Sequence, residues 1–238
     1  MMLKLYNMTN IAEQVIAFNK KLNYTGPLPP GFGVLNPFGE NSEALVTMEK
    51  FYLKFYNDHH TRKFIIGINP SRHGAGLTGV PFTDTKRLDK VCGIQMQTVS
   101  SHEVSSVFMY DMIEQYGGVE EFYSKFYINS PFPLAIVKVS PQHKWLNANY
   151  YDDPALFEAV KPFMIKMLKK QIAFGLDTSK VFILGKRNEL FINKINKTEK
   201  LFDRLITLEH PRYIQQYKMK SRNEYIDKYL MSLDSEWS

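Results

Sequence analysis

Short apolar runs alternate with helical patterns along most of this chain, and that alternation constrains the fold more than any other feature of the sequence. The runs are bounded by turn residues and lie at 63–68, 126–128, 181–185 and 204–208, with a further apolar segment at 134–139. Such runs are typical of strands that are buried on both faces of a sheet. The sequence therefore predicts an α/β fold, a three-layer α/β/α sandwich around a central, mainly parallel four-stranded sheet.

Helix start signals support the same interpretation. The clearest helix begins with Asp153 as N-cap and Pro154 in its first turn. Near the amino terminus, Asn10 and Glu13 have the spacing of a capping box. The stretch 24–38 is rich in Pro and Gly, and we predict a loop there.

The chain carries no linker, repeat or low-complexity tract, so we expect a single domain over residues 1–238, with 1–60 as a helical amino-terminal extension packed on it. Its one cysteine, Cys92, excludes a disulfide framework and a multi-cysteine zinc site. No apolar run approaches the roughly 20 residues of a membrane span, and the first residues lack the apolar core of a signal peptide. We therefore expect a cytoplasmic protein without a membrane partner.

The formal net charge of +6 is unevenly distributed. Between Lys161 and Lys228 there are 16 Lys and Arg against 7 Asp and Glu, whereas the rest of the chain has 14 against 17. A carboxyl-terminal third this basic is a candidate surface for nucleic-acid phosphates. A solvated, lysine-rich helix face would show the same composition, so charge alone leaves both interpretations open.

Polar residues follow three of the predicted strands. Asn69, Asn129 and His210 each stand at or just beyond the carboxyl end of an apolar run. Ligands of open α/β sheets bind in the crevice outside the carboxyl ends of the strands. We therefore expect these three side chains to meet in one site.

Signatures of several other enzyme classes are missing from the sequence. It has no Walker GxxxxGK[ST], no HExxH and no GxSxG, so the motif residues that P-loop, zincin and α/β-hydrolase mechanisms need are missing. Gly74 and Gly76 form a fragment of a dinucleotide fingerprint, but they lie several residues past the strand, and the turn holds Pro70 and Arg72. A nucleotide-binding α/β enzyme that uses these glycines stays open as an alternative.

Three segments, in order along the chain, resemble one family. The segment 67–82, GINPSRHGAGLTGVPF, resembles the first motif of the single-strand-selective monofunctional uracil-DNA glycosylases, GMNPGPFGMAQTGVPFG. Residues 209–212, EHPR, resemble the beginning of their second motif, HPSPRNP, and 127–134 resembles the intervening segment near HNLCPL. The pattern is similar to that of a divergent, bacterial branch of this family.

The resemblance implies catalytic roles for Asn69 and His210. Cleavage of the N-glycosidic bond leaves negative charge on the departing base, and fixed donors aimed at that charge are effective catalysts. An imidazole N–H of His210 suits the O2 atom of uracil, although the sequence does not give its tautomer. Asn69 could orient the attacking water, and because an amide is a poor general base we expect modest rates.

Base binding is expected from five further residues: Gly67, Ile68, His73, Phe82 and Asn129. Phe82 offers an apolar face on which an extruded base can stack. Asn129 can accept from N3–H of uracil and donate to O4, whereas cytosine presents the opposite pattern at these atoms. His73 lies in Ser71–His73, which replaces Gly-Pro-Phe of the family motif, so base choice can differ from that of the family.

In the family, the residues Ser-Pro-Arg-Asn-Pro after the His-Pro pair form a wedge that is inserted into the DNA duplex. In this sequence, Arg212 and the residues after it replace that segment. Arg72, Arg212, Tyr213 and Gln215 are candidates for contact with opened DNA, without a single wedge residue being assigned. Phosphate contacts that do not read sequence are expected from Lys218, Lys220 and Arg222.

The resulting hypothesis is a monomeric, monofunctional DNA glycosylase that leaves an abasic site. Its substrate would be uracil, with xanthine, hypoxanthine and hydroxymethyluracil as further candidates, in single-stranded or mismatched double-stranded DNA. No metal or organic cofactor is expected. The alternatives are a nucleic-acid-binding protein of the same fold without turnover and the nucleotide-binding enzyme named above.

Overall fold

The computed structural model describes residues 9–234, and the elements within that range are seven strands, eleven α-helices and one 3₁₀ turn. The strands are β1 (Phe32–Leu35), β2 (Lys63–Ile66), β3 (Phe126–Asn129), β4 (Ala135–Val139), β5 (Trp145–Ala148), β6 (Asp177–Leu184) and β7 (Arg204–Leu208). The helices are α1 (Ile11–Lys20), α2 (Pro37–Glu40), α3 (Ser42–Phe55), α4 (Ala75–Thr78), α5 (Thr85–Lys90), α6 (Val104–Tyr116), α7 (Val119–Lys125), α8 (Pro154–Ile172), α9 (Lys186–Glu199), α10 (Pro211–Tyr217) and α11 (Arg222–Asp234). The 3₁₀ turn is Met219–Ser221.

The central sheet has four parallel strands in the order β3-β2-β6-β7. Ile66 pairs with Asn129 on one side and with Ile183 on the other, and Leu184 pairs with Leu208. The carboxyl ends of all four strands consequently lie at one edge. Helices cover both faces of the sheet, which confirms the predicted three-layer sandwich.

The strand order creates a crevice between β2 and β6. The chain passes from β2 outward to β3, and then returns to the other side of β2 to form β6 and β7. Right-handed crossovers in opposite directions lie on opposite faces of a sheet, so the connections diverge at this point. Such a topological switch point is where α/β sheets bind their ligands.

A second, antiparallel sheet of order β1-β4-β5 was not predicted. Strand β1 lies inside the stretch 24–38 that the sequence predicted as a loop, and every one of its residues is only half-buried. Strand β5 is exposed over Trp145, Leu146 and Asn147. Because neither strand carries a buried apolar run, the pattern that revealed the central sheet is missing from both.

Two predicted helix starts are confirmed. The side chain of Asn10 accepts from the backbone N–H of Glu13, whose carboxylate accepts from the N–H of Asn10, which completes the capping box of α1. Asp153 caps α8 by accepting from the N–H of Leu156, and Pro154 is the first residue of that helix. Within residues 9–234, no helix has the length and apolar character needed to cross a bilayer.

Candidate active site

A cavity of about 570 Å³ opens at the carboxyl edge of the central sheet. Asn69, Asn129 and His210, which follow or end β2, β3 and β7, all line it. The other residues assigned to base binding from the sequence line it as well: Gly67, Ile68, His73 and Phe82. The cavity therefore brings together all seven residues that the sequence analysis placed in catalysis and base binding.

The amide of Asn69 is held by the chain that leaves β5. Its Nδ2 donates to the carbonyl oxygen of Ala148 at 3.0 Å, and its Oδ1 accepts from the backbone N–H of Tyr150 at 3.1 Å. These two bonds determine which end of the amide is oxygen. An amide oxygen can accept two hydrogen bonds, so Oδ1 retains one lone pair for a water molecule.

Asn129 is buried and its amide is also fixed in orientation. Oδ1 accepts from the backbone N–H of Ser130 at 2.8 Å, and Nδ2 donates to the hydroxyl oxygen of Tyr127 at 2.7 Å. One lone pair and one N–H are left over for other partners. Asn129 therefore presents one acceptor and one donor side by side.

Tyr127 and Gln171 determine the direction of the hydrogen bond between Asn129 Nδ2 and the hydroxyl of Tyr127. The hydroxyl of Tyr127 donates to Oε1 of Gln171 at 3.3 Å, and Nε2 of Gln171 donates to the carbonyl oxygen of Ser130 at 3.1 Å. Because the hydroxyl proton of Tyr127 is directed at Gln171, its oxygen accepts from Asn129. The sequence analysis missed both residues. Gln171 falls in line with the apolar residues of α8, a pattern that indicates a polar group on the buried side but does not indicate its partners.

Asn188, in the first turn of α9, is hydrogen-bonded both to the end of β2 and to Tyr150. Its buried Nδ2 donates to the carbonyl oxygens of Ile66 and Gly67 at 3.2 and 3.1 Å, and its Oδ1 accepts from the hydroxyl of Tyr150 at 2.5 Å. The end of β2 is thus connected to the same segment that holds the Asn69 amide. Nothing in the local sequence around Asn188 pointed to this role.

His210 is the N-cap of α10, and this position defines its tautomer. Its Nδ1 accepts from the backbone N–H of Arg212 at 3.2 Å, so the proton of the neutral ring is on Nε2. Burial, which has the larger effect, and the charge of Arg212 together lower the pKa of His210 to about 4. The cavity is therefore provided with a neutral imidazole that can donate from Nε2.

Phe82 covers the end of β2 with its ring. A Cβ atom on Gly67 would lie 3.0 Å from Cε2 of Phe82, so a larger residue at this position would displace the ring, whose centroid is 5.8 Å from that of His210. The backbone of Phe82 has a φ of 53°, a strained conformation for a residue with a side chain. The hydroxyl of Thr78 holds the turn by donating to the carbonyl oxygen of Thr83 at 2.8 Å.

The model of the uracil DNA glycosylase superfamily matches residues 53–234, a range that includes every strand of the central sheet and all the residues that line the cavity. The chain belongs to the uracil DNA glycosylase superfamily. It is a DNA repair glycosylase of the uracil-DNA glycosylase type, and its partner is DNA.

This glycosylase is also similar to a solved structure. The crystal structure of wild-type SMUG2 from Pedobacter heparinus has 48% sequence identity and a TM-score of 0.93, over 96% of this chain and 98% of that chain. The glycosylase is therefore a SMUG-like, bacterial member of the superfamily. No significant relative was found among curated proteins.

Glu103 brings a carboxyl group to the cavity wall of the glycosylase. Its Oε1 accepts from the hydroxyl of Ser71 at 3.0 Å, whereas its Oε2 is buried and has no hydrogen-bond partner among the described residues. Burial raises the pKa of Glu103 to about 7. The sequence analysis did not identify this group, because it lies just before α6 and outside the three family motifs.

Helix α10 forms an aromatic rim at the mouth of the cavity. Tyr213 and Tyr217 are separated by one helical turn, their ring centroids are 5.7 Å apart, and both line the mouth. Tyr217 is 71% exposed and was not singled out from the sequence. Arg212, on the same helix, also lines the cavity and is exposed.

The other residues predicted to bind DNA lie outside the cavity lining: Arg72, Gln215, Lys218, Lys220 and Arg222. Lys220 is exposed on the 3₁₀ turn. Arg222 forms an ion pair with Asp111, so a phosphate at this position would compete with that carboxylate. The backbone N–H of Arg72 donates to Oδ1 of Asn147 at 3.0 Å, which joins the loop after β2 to β5.

Metal-ligating side chains are not grouped in residues 9–234 in any cluster of three or more that could hold an ion. The polar groups of the cavity are amides, an imidazole, a carboxyl and hydroxyls, and each of these can act directly on a substrate.

Proposed function

We propose that this glycosylase hydrolyses the N-glycosidic bond of uracil in DNA and leaves an abasic site. The observation that carries the proposal is the combination of the neutral Nε2–H donor of His210 with the fixed amide of Asn129 in one cavity. Both groups suit a pyrimidine with two carbonyl oxygens and an N3–H between them.

His210 is proposed to stabilise the leaving group. As the bond between sugar and base breaks, negative charge builds up on uracil, and a donor at O2 lowers the energy of that state. The backbone N–H of Arg212 keeps the Nε2–H tautomer in place throughout.

Asn129 is proposed to select the base. Its free lone pair accepts from N3–H of uracil, and its free N–H donates to O4. Cytosine would place an acceptor against the lone pair and a donor against the N–H, which leaves buried polar groups unpaired. Tyr127 and Gln171 act as positioning residues because they prevent the amide from turning over.

Asn69 is proposed to orient the attacking water through the second lone pair of Oδ1. An amide takes up a proton poorly, so the water gains little nucleophilic character and most of the rate must come from stabilisation of the leaving group. Phe82 is proposed to stack on the extruded base, with Gly67 and Ile68 forming the backbone wall beside it.

Xanthine, hypoxanthine and hydroxymethyluracil are proposed as further substrates. The loop Ser71–His73 departs from the family motif, and His73 lines the cavity. No lysine is among the residues that line the cavity, which supports base removal without strand cleavage. We also propose that the protein acts as a monomer in the bacterial cytoplasm, on single-stranded or mismatched DNA.

The test is an excision assay with the wild-type protein and oligonucleotides that carry uracil, hydroxymethyluracil, xanthine or hypoxanthine, each single-stranded and paired. We expect release of free uracil and an intact strand with an alkali-labile abasic site. DNA binding without release of any base would overturn the proposal in favour of a binding protein without turnover. Strand cleavage without alkali would overturn the monofunctional part alone.

A further inference from the structure

Strand β5 carries a half-exposed aromatic side chain next to the cavity. Trp145 and Asn147 are two residues apart on one strand, so their side chains lie on the same face, about 7 Å apart along the strand. Asn147 lines the cavity and bonds the loop after β2, whereas Trp145 is 42% exposed. The indole therefore lies one step outward from the cavity edge.

The indole is held on a rigid support. A Cβ atom on Gly33 of β1 would meet the ring at 3.0 Å, and Val137 of β4 lies beside it. Gly33 pairs with Val137, and Val137 pairs with Asn147, so all these positions share the face that carries Trp145. The ring thus fills the space above a glycine while much of its surface stays open to solvent.

The surroundings of Trp145 are basic. The ten residues from Lys138 to Asn147 include two lysines and a histidine and no carboxylate. His143 and Lys144 are exposed in the turn that precedes Trp145, whereas Lys138, which is paired with Leu146, lies on the opposite face of the sheet. Cationic groups beside an exposed aromatic ring are what proteins use to bind single-stranded nucleic acid, with the ring stacking on a base and the cations on the backbone.

We propose that Trp145 is a stacking platform for the base of the nucleotide next to the damaged one, on a single strand of DNA, and that Lys144 contacts a phosphate of that strand. The proposal deepens the proposed function, on which it rests, by naming how the strand is held. A base in a duplex is already stacked on both faces, so Trp145 favours single-stranded over paired substrates. If Trp145 served only to cover Gly33, it would give no preference for single-stranded over paired substrates.

The first experiment reads the indole directly. Trp237→Phe leaves Trp145 as the only tryptophan of the chain. This variant is titrated with a single-stranded oligonucleotide that carries 2′-fluoro-2′-deoxyuridine, whose glycosidic bond resists hydrolysis. We expect quenching of the tryptophan fluorescence on binding, and less quenching by the same oligonucleotide in a duplex. Binding without any change in fluorescence would overturn the proposal.

The second experiment compares affinities of Trp145→Ala and Trp145→Phe. Trp145→Ala is expected to weaken binding of the single strand by about fivefold or more, with little effect on the duplex, and Trp145→Phe to retain most of the affinity. Met231→Ala, which removes a more exposed apolar side chain from α11, is the matched control. If Trp145→Ala weakened binding of the single strand and of the duplex equally and also lowered Tm, Trp145 would have a structural role only.

These binding measurements need no turnover, so they separate the two proposals. If the wild-type protein releases no base but Trp145 is quenched by single-stranded DNA, the excision proposal fails and the platform stands. If uracil is released and the Trp145 variants bind like the wild type, the platform fails and excision stands.

Discussion

The floor of the cavity, formed by Asn69, Asn129 and His210, and its rim, formed by Tyr213 and Tyr217 of α10, are built in opposite ways. On the floor, both ends of the amides of Asn69 and Asn129 are hydrogen-bonded to the protein. On the rim, Tyr213 and Tyr217 of α10 are exposed and contact one another. The difference separates two tasks, since the chemistry needs groups fixed in place before the substrate arrives, and the strand needs only a sequence-tolerant surface.

The strongest test of the floor removes its two catalytic candidates one at a time. We expect Asn69→Ala and His210→Ala to release uracil at least about tenfold more slowly, which corresponds to ~1.4 kcal/mol in the barrier. DNA binding should be largely retained because the exposed side chains of Tyr213 and Tyr217 are unchanged in both variants. Single-turnover excision and a binding titration measure the two effects, and wild-type rates in both variants would refute the assignment.

A second test removes a hydrogen bond that fixes the Asn129 amide, at a residue that does not line the cavity. Tyr127→Phe removes the acceptor of Asn129 Nδ2. A buried donor without a partner costs about 1–3 kcal/mol, so we expect kcat/KM for uracil to fall by about fivefold or more and the preference for uracil over cytosine to narrow.

Tyr56→Phe is the matched control for that change, because it deletes another buried hydroxyl, one that bonds the carbonyl oxygen of Phe126 instead. It should lower Tm and leave base selection as it is. If Tyr127→Phe behaves in the same way, Tyr127 does not position the amide.

The basic surface beyond the rim is tested by charge, since Lys220 is exposed and lies outside the cavity lining. We expect Lys220→Gln to weaken DNA binding a fewfold, uniformly across sequences, and to reduce the slope of log Kd against log salt by about one. Lys197→Gln is the control, since Lys197 lies in the last turn of α9, which runs back from the catalytic edge of the sheet. An equal change of slope in both variants would show that Lys220 has no particular contact.

The smallest expected effect is an absence of pH dependence. Because His210 has a pKa of about 4, its ring stays neutral as pH falls through 6.5, the ordinary value for histidine. Glu103 has a pKa of about 7, so the profile is measured in Glu103→Gln. Single-turnover rates there should change less than about twofold between pH 8 and pH 5.5, whereas an acidic limb near 6.5 would contradict a neutral imidazole.

The same shift affects stability with a definite sign. The unfolded chain takes up a proton on His210 at higher pH than the folded chain, so the contribution of this residue is complete above 6.5 and is lost as pH falls toward 4. Glu103 acts in the opposite direction, since its pKa is raised from 4.5, and ionisation destabilises the folded state as pH rises toward 7.

The parts of the fold that the sequence revealed are those governed by local pattern. Apolar runs identified the central sheet, and the ends of β2, β3 and β7 led to Asn69, Asn129 and His210. The second sheet was missed because β1 and β5 are half-exposed, and their pairing with β4 depends on contacts distant in the chain.

The residues that orient the site could not be predicted for a related reason. Gln171, Asn188 and Glu103 are ordinary polar residues of helices or their flanks until the fold brings each beside a particular carbonyl or hydroxyl group. Family motifs identified residues that line the cavity. They do not reveal which distant side chains fix the rotamer of those residues.

The bonds from Asn69 to Ala148 and Tyr150 span 79 and 81 residues of sequence. Loop closure over such distances comes late in folding, because its entropic cost must be met before the contact forms. We infer that the amide of Asn69, which is proposed to orient the attacking water, gains its orientation only when the β4–β5 hairpin has docked on the rest of the chain. A partly folded chain that has formed β2 and β3 alone would already hold both asparagines, yet it would be unable to excise a base.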